Sequence, residues 1–92
     1  MLELINRRQL QILVHSYIYY QLNENIITDS VFDRWCKELA YLQTMHPEMI
    51  KQSEHYEAYK EFDGSTGAFL PFNQPRIQEI GNYMLKLHKK NH

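Results

Sequence analysis

Tyr19-Tyr20-Gln21-Leu22-Asn23-Glu24-Asn25-Ile26-Ile27-Thr28-Asp29-Ser30-Val31-Phe32-Asp33 is the stretch that decides the fold of this 92-residue chain. Its beginning continues a helical pattern, and Asn23-Glu24-Asn25 interrupts that pattern. Thr28 is a residue type that caps helix N-termini, and Asp29 would place a negative charge in the first turn of the next helix. Two helices joined by so short a loop are expected to pack as an antiparallel hairpin.

Apolar residues recur at helical spacing on both sides of this stretch. The first helix is predicted from Leu2 to Leu22, and its solvent face is predicted to carry Arg7, Arg8, Gln9 and Gln11. The second helix is predicted to end before Pro47. Its apolar positions are Phe32, Trp35, Cys36, Leu39, Leu42 and Met45.

The second half of the chain is less regular. Ser53 is a candidate N-cap for a short helix that carries Tyr56, Tyr59 and Phe62. Residues 63–67 are predicted to form a turn or loop. Residues 68–72 form a short apolar stretch that can adopt an extended conformation. A last helix is predicted to start at Asn73 or Gln74 with Pro75. Its apolar stripe consists of Ile77, Ile80, Met84 and Leu87, and Gly81 within it indicates close packing. We therefore expect an all-α, single domain over 1–92, with a helical hairpin in 1–50 and an extension in 51–92.

Composition excludes several classes of protein. The formal net charge is −1 and the pI is near 6.5, whereas domains that bind duplex nucleic acid usually carry a basic surplus, so nucleic-acid binding is expected to be absent or a weak property of the basic residues at 86–90. No apolar run approaches a membrane span, the start lacks a signal-peptide pattern, and Cys36 has no cysteine to pair with. A cytoplasmic protein with Cys36 as a buried apolar residue is the expectation, and the five histidines show no metal-binding spacing.

The opening stretch also predicts a pocket. Asp29, Phe32 and Asp33 share one face of the second helix because they are three and four residues apart. The hairpin would bring this face to the end of the molecule that carries Tyr19 and Tyr20. Aromatic faces rimmed by carboxylates suit a flat, cationic ring. The alternative interpretation, that these residues only close the core and solvate a helix start, is open at this point.

From about Leu10 to Met49 the chain resembles the N-terminal helical module, domain Ia, of bacterial NAD-dependent DNA ligases. That module has a Tyr-Tyr or Tyr-His pair, then Ile-Ser-Asp-x-x-Tyr-Asp, Glu-Leu and His-Pro-Glu. The matching elements here are Tyr19-Tyr20, Ile27-Thr28-Asp29, Phe32-Asp33, Glu38-Leu39 and His46-Pro47-Glu48, in the same order and without a gap.

The resemblance implies a binding role for nicotinamide mononucleotide (NMN) or NAD. It assigns contacts with the nicotinamide nucleotide to Tyr19 and Tyr20, ring stacking to Phe32, and completion of the site by carboxylates to Asp29 and Asp33. Phe32 departs from the usual tyrosine by lacking the hydroxyl. Val31 and Asn25 replace a common glutamate and a common proline, and the pattern of the ligases ends after Glu48.

The adenylation machinery of a ligase is not recognised in the sequence. Its attacking lysine lies in a Lys-x-Asp-Gly motif, and Lys60-Glu61-Phe62-Asp63-Gly64 is one residue too long to match. We therefore expect no independent catalysis and no required cofactor.

Two functions from different classes remain open. One is a nucleotide-binding module that sequesters or senses NMN or NAD, or supplies its pocket to a partner. The other is a protein-interaction module of the phage type, which binds a host replication, repair or defence protein after losing the nucleotide site. The second function would use an exposed aromatic patch, whose candidate members are Tyr56, Tyr59, Phe62, Phe69 and Phe72.

Overall fold

A computed structural model describes residues 1–64 and 70–90 of the chain. These residues form helices and no strand, which confirms the predicted all-α class. None of the helices in these two segments is long and apolar enough to cross a membrane. The elements are α1 (Leu2–Ser16), a π-helical turn (Tyr17–Gln21), α2 (Asp29–Met45), α3 (Pro47–Ile50), α4 (Tyr56–Tyr59) and α5 (Pro75–Lys90).

The α1–α2 hairpin is the centre of the molecule. Ile5 and Ile12 of α1 and Leu39 of α2 are fully buried in the core. Near its middle, Arg8 donates from Nε to a Glu38 carboxylate oxygen at 3.2 Å, and its guanidinium lies over the Trp35 ring, 5.4 Å from the centroid. The predicted hairpin is therefore confirmed.

The end of the first helix differs from the prediction. A regular α-helix was expected to reach Leu22, but the backbone widens into a π-helical turn in which the Leu22 amide donates to the Tyr17 carbonyl. Asn23 ends it with a φ of 56°, a left-handed conformation that asparagine tolerates better than most residues. Since a π turn contains more residues than an α turn, it rotates the following side chains away from the apolar stripe. Tyr20, which lies in this widened backbone, is 40% exposed.

The boundaries of α2 follow the predicted signals. The Thr28 hydroxyl accepts a hydrogen bond from the Val31 amide at 3.3 Å, as an N-cap does, and Asp29 lies in the first turn. The helix ends at Met45, two residues before Pro47. Pro47 then opens the short helix α3, a position where its missing N–H costs nothing.

Gln9 was placed on the solvent face by the sequence, and this prediction is wrong. Its side chain is fully buried, donates to the Ser53 hydroxyl at 2.9 Å and accepts from the His55 amide at 3.2 Å. The backbone carbonyl of Gln9 accepts a hydrogen bond from the Tyr59 hydroxyl at 2.6 Å. A buried amide is tolerated because both of its polar atoms are satisfied, and these bonds fasten the second half of the chain to α1.

Ser53 does not cap the short helix, contrary to the sequence prediction. Its hydroxyl donates to the Ile50 carbonyl at 2.6 Å and lies in the buried contact with Gln9. The residue before α4 is His55, and its side chain makes no capping hydrogen bond.

The described candidates for an exposed aromatic patch are core residues or pack against the core. Tyr59, Phe62 and Phe72 are buried, at 0%, 6% and 8% exposure, and Tyr56 packs partly buried against them. Phe69, the remaining candidate for an exposed patch, lies outside the described residues. The aromatic interface considered for a protein partner is therefore not formed by these four side chains.

The last helix begins at Pro75, as predicted, and packs on the π-helical turn. Because Gly81 has no side chain, α5 can approach Tyr17 of the π-helical turn closely. A Cβ built at Gly81 would lie 2.6 Å from Cδ2 of Tyr17. Burial decreases along the predicted apolar stripe, from Ile77 at 1% to Leu87 at 40% exposure. The close packing predicted at Gly81 is confirmed.

The connection between α4 and α5 is described only at its ends. Gly64 has a φ of +86°, which fits the predicted turn, and it lies against Ala40 of α2. The rest of the predicted turn and the first part of the apolar stretch, residues 65–69, lie outside the described residues. Leu70 is buried in the core, and no strand is assigned over residues 70–74.

Candidate functional site

A cavity of about 230 Å³ opens between the π-helical turn, the loop that follows it and the first turns of α2. It lies at the end of the α1–α2 hairpin, where the sequence predicted a pocket. All five predicted site residues line it: Tyr19, Tyr20, Asp29, Phe32 and Asp33. The fold therefore brings together residues from the two sides of the interhelical loop, and their role in binding stays a prediction.

The aromatic wall of the cavity consists of two partly exposed tyrosines and Phe32. The Tyr19 and Tyr20 rings meet edge to face, with centroids 4.8 Å apart and an interplanar angle of 79°. They are 45% and 40% exposed, so each has surface left for a ligand. Phe32 is half-buried across the loop. Such rings offer flat apolar surface and a negative π face to a ligand.

Three carboxylates stand at the rim. Asp29 and Asp33 come from the first turns of α2, and Glu24 comes from the loop. Asp33 pairs with Lys37 at 2.9 Å and Glu24 pairs with Lys89 at 3.1 Å. No lysine or arginine is among the described residues that line the cavity itself. The cavity therefore combines aromatic faces with an acidic rim, which favours a cationic group over an anionic one.

The floor contains residues that the sequence did not point to as site residues. Ile18, Ile26 and Ile27 supply apolar surface, while His15 and Cys36 contribute the deepest polar groups. Cys36 could have been recognised, because it is three residues after Asp33 and four after Phe32 on one helix face. His15 gave no such signal, since its approach depends on the packing of α1 against α2.

Burial keeps both of these deep groups uncharged. It lowers the pKa of His15, whose ring contacts the edge of Trp35 with centroids 5.4 Å apart. It also raises the pKa of the Cys36 thiol to about 11, with the nearby Asp33 charge as the second cause. At neutral pH the thiol is protonated, which is the state of a structural cysteine rather than of a nucleophile. The predicted burial of Cys36 is confirmed.

Lys60, the lysine of the near-match to an adenylation motif, lies away from this cavity. Its ammonium group is exposed and donates to the Glu57 carboxylate at 2.9 Å. That hydrogen bond and the Glu57 charge raise the pKa of Lys60. An attacking amine needs the opposite shift, toward the neutral form.

Apart from the first cavity, the described residues form a second cavity but no cluster suited to a metal ion. Within residues 1–64 and 70–90, no group of three or more His, Cys, Asp or Glu side chains could hold a metal ion. A second, more open cavity lies beside α4. Its lining consists of Ser53, Glu54, His55, Tyr56, Glu57, Ala58, Pro71 and Gln74. It lacks the convergent aromatic faces of the first cavity.

Comparison with known proteins assigns a family to the segment that contains the first cavity. A model of the family described as the DNA ligase-like, N-terminal NAD+-binding domain matches residues 3–53, more than half of the chain. The chain belongs to this family. The matched segment includes α1, the π-helical turn, the loop, α2 and α3, and therefore every residue that lines the first cavity.

Curated relatives show the same partial likeness. The DNA ligases of Thermotoga maritima and Thermotoga neapolitana are each 39% identical over 49 residues, which is 53% of this chain and 7% of theirs. The DNA ligase of Roseiflexus castenholzii is 42% identical over 40 residues, 44% of this chain and 6% of its own. The chain thus matches only a small part of the length of these ligases. No solved structure matches it.

The family match covers only the first part of the chain. Residues 3–53 carry the ligase-like NAD+-binding domain. Residues beyond 53, with α4 and α5, lie outside the match, and the predicted change of pattern after Glu48 is close to this boundary.

Proposed function

We propose that this chain is a nicotinamide-nucleotide-binding module, which binds NMN or NAD in the cavity between the π-helical turn and α2. The observation that carries the proposal is the convergence of Tyr19, Tyr20, Asp29, Phe32 and Asp33 around one cavity in a chain of the ligase-type NAD+-binding family. The module sequesters or senses the nucleotide, or presents it to a partner, without catalysing a reaction itself.

The chemistry of the cavity supports the nicotinamide ring as the group that enters it. The oxidised ring is flat and carries a positive charge, so it gains from aromatic faces through stacking and cation–π attraction. Phe32 and the exposed tyrosine rings supply these faces. The neutral floor around Ile18 and His15 excludes water from one side of the ring.

The rim supports hydrogen bonding to the rest of the nucleoside. Asp29 and Asp33 are exposed carboxylates at the mouth, where they can accept from ribose hydroxyls or from the carboxamide N–H group. Hydrogen bonds to charged acceptors are stronger than neutral ones. We place the phosphate toward solvent and toward Lys37 and Lys89, the partners of the rim carboxylates, because the described lining carries no cation.

The absence of independent catalysis in this proposal rests on the state of the candidate nucleophiles. The Cys36 thiol stays protonated at neutral pH, and Lys60 is held as an ammonium ion by Glu57. Both pKa shifts are opposite to the lowering that activates a cysteine or lysine nucleophile.

Calorimetric titration with NMN and with NAD tests the proposal. We expect micromolar binding of NMN to the unmodified protein. We expect Asp33→Ala to weaken it by at least about tenfold, since a hydrogen bond to a charged group contributes about 1.5–3 kcal/mol.

Glu48→Ala is the matched control for this substitution. Glu48, like Asp33, is an exposed carboxylate near a helix start that pairs with a lysine, here Lys51 at 3.6 Å, but it does not line the cavity. NMN affinity should not change in this variant. An unmodified protein that fails to bind millimolar NMN or NAD would exclude a working nucleotide site and direct the search to a protein partner.

A further inference from the structure

We infer that the segment 70–90, outside the family match, is a positioning element for the cavity, and that Phe72 is the residue that holds the Tyr20 ring in place. This inference rests on the proposed function, since it concerns the same site. It assigns a role to the extension that the ligase-like match does not cover.

The main contact is between two rings. Phe72 is buried and lies nearly parallel to Tyr20, with centroids 6.0 Å apart and an interplanar angle of 16°. Tyr19 contacts Tyr20 edge to face. The Tyr20 ring therefore packs between one ring from its own turn and one from the extension, and Tyr20 lines the cavity.

Two polar contacts from the extension reach the same turn and loop. The Asn73 side-chain amide donates to the Gln21 side-chain oxygen at 3.3 Å. Lys89, near the end of α5, pairs with Glu24, which lines the cavity, at 3.1 Å. Each contact is exposed and modest alone, but the two fix the turn from opposite ends of the segment.

The π-helical turn also packs directly on α5. Tyr17 donates from its hydroxyl to the Asn82 side-chain oxygen at 3.1 Å, and its ring lies against Gly81. Tyr17 is the first residue of the π-helical turn that carries Tyr19 and Tyr20. The turn is thus braced by α5 below and by Phe72 at the side.

Such packing matters for affinity because a ring that is already oriented in the free protein loses less conformational freedom when the ligand binds. Immobilising one side chain on binding costs about 0.5–1.5 kcal/mol, equivalent to a factor of about two to ten in affinity. A ring already held by Phe72 avoids that cost. The expected role of Phe72 is therefore to strengthen ligand binding without touching the ligand.

The first test compares three variants by calorimetric titration with NMN. Phe72→Leu keeps apolar bulk but removes the flat ring, and Phe72→Tyr restores the ring. Phe62→Leu is the control, because Phe62 is equally buried and contacts Tyr59, at 5.1 Å between centroids, instead of a cavity residue. Phe72→Leu should weaken NMN binding about two- to tenfold, Phe72→Tyr should restore it, and Phe62→Leu should lower only the melting temperature.

The second test needs no ligand. In aromatic NMR spectra of the free protein, Phe72→Leu should shift and broaden the Tyr20 ring signals, because a stacked ring is lost, whereas Phe62→Leu should leave them in place. Unchanged Tyr20 signals would overturn the positioning role whether or not NMN binds. Equal loss of NMN affinity in Phe72→Leu and Phe62→Leu would also overturn it, while leaving the nucleotide site itself intact.

Discussion

At the scale of single residues, the charge of the cavity decides what it can bind. Asp29, Asp33 and Glu24 stand at the rim, and the described lining holds no lysine or arginine. His15 on the floor is kept neutral by burial. The proposed ligand group is therefore one that brings its own positive charge to the aromatic faces.

This arrangement predicts selectivity for the oxidised ring. Reduced NMN keeps the carboxamide, ribose and phosphate but has a neutral ring. Since cation–π attraction contributes about 0.5–2 kcal/mol, reduced NMN should bind more weakly than NMN by about tenfold. Competition calorimetry with the two forms measures the ratio. Equal affinities would show that the acidic and aromatic lining does not read the ring charge.

His15 also predicts how stability depends on pH. Burial lowers the pKa of His15 in the folded protein below the ordinary value of 6.5. As the pH falls, the unfolded chain therefore binds a proton at His15 before the folded protein does. Stability is therefore complete above about pH 6.5 and falls as the pH drops below it. The pKa of His55 is lowered as well, mainly by burial and partly by Arg76, with Glu54 opposing.

Urea unfolding at pH 7.5 and pH 5.5 measures this effect. The free energy of unfolding should be smaller at pH 5.5, and the difference should shrink in His15→Phe, which keeps an aromatic ring against Trp35. A difference that persists undiminished in that variant would assign the pH effect to other groups.

The sequence anticipated part of the site at this scale. Asp29, Phe32 and Asp33 could be grouped from helical spacing alone, and the predicted hairpin placed Tyr19 and Tyr20 at the same end of the molecule. Glu24 and His15 could not be added, because their approach depends on the path of the loop and on interhelical packing. Gln9 was misplaced for a related reason, since its burial depends on Ser53, 44 residues away.

At the scale of elements, the N-terminus of α2 is the structural basis of the site. Thr28 caps it, and the following two turns carry Asp29, Phe32 and Asp33. The sequence predicted this start correctly because an N-cap is a local signal. It did not predict the π-helical turn, since the extra residue in that turn is accommodated by packing against α5 rather than by a local motif.

Removing the cap should therefore cost stability. We expect Thr28→Ala to lower the free energy of unfolding by about 1 kcal/mol, because the hydroxyl is lost as an acceptor for the Val31 amide. Thr44→Ala is the control, since the Thr44 hydroxyl donates to the Ala40 carbonyl within the same helix and caps nothing. Denaturant unfolding compares the two, and equal losses would argue against a capping role for Thr28.

At the scale of the whole molecule, the family-matched segment and the extension are joined by buried contacts. Gln9 accepts hydrogen bonds from the His55 amide and the Tyr59 hydroxyl, and Tyr17 of the π-helical turn contacts Gly81 and donates to Asn82. The division into a hairpin and an extension was visible in the sequence as a change of pattern. The bonds that join the two parts were not, because they link residues far apart along the chain.

These contacts predict that residues 1–92 unfold as one cooperative unit. Trp35, on α2, reports by fluorescence on the hairpin, whereas far-ultraviolet circular dichroism reports on all helices, including α5. The two thermal transitions should coincide. A separate, earlier transition in circular dichroism would show that the extension folds independently of the hairpin.

The most direct test of the central claim is a titration of the ¹⁵N-labelled protein with NMN, followed by amide NMR spectra. The account predicts saturable shifts concentrated in residues 15–36, which surround the first cavity, with little change at residues 53–58, which line the second. Shifts centred on residues 53–58, or none at millimolar NMN, would contradict the proposal that this cavity binds the nicotinamide nucleotide.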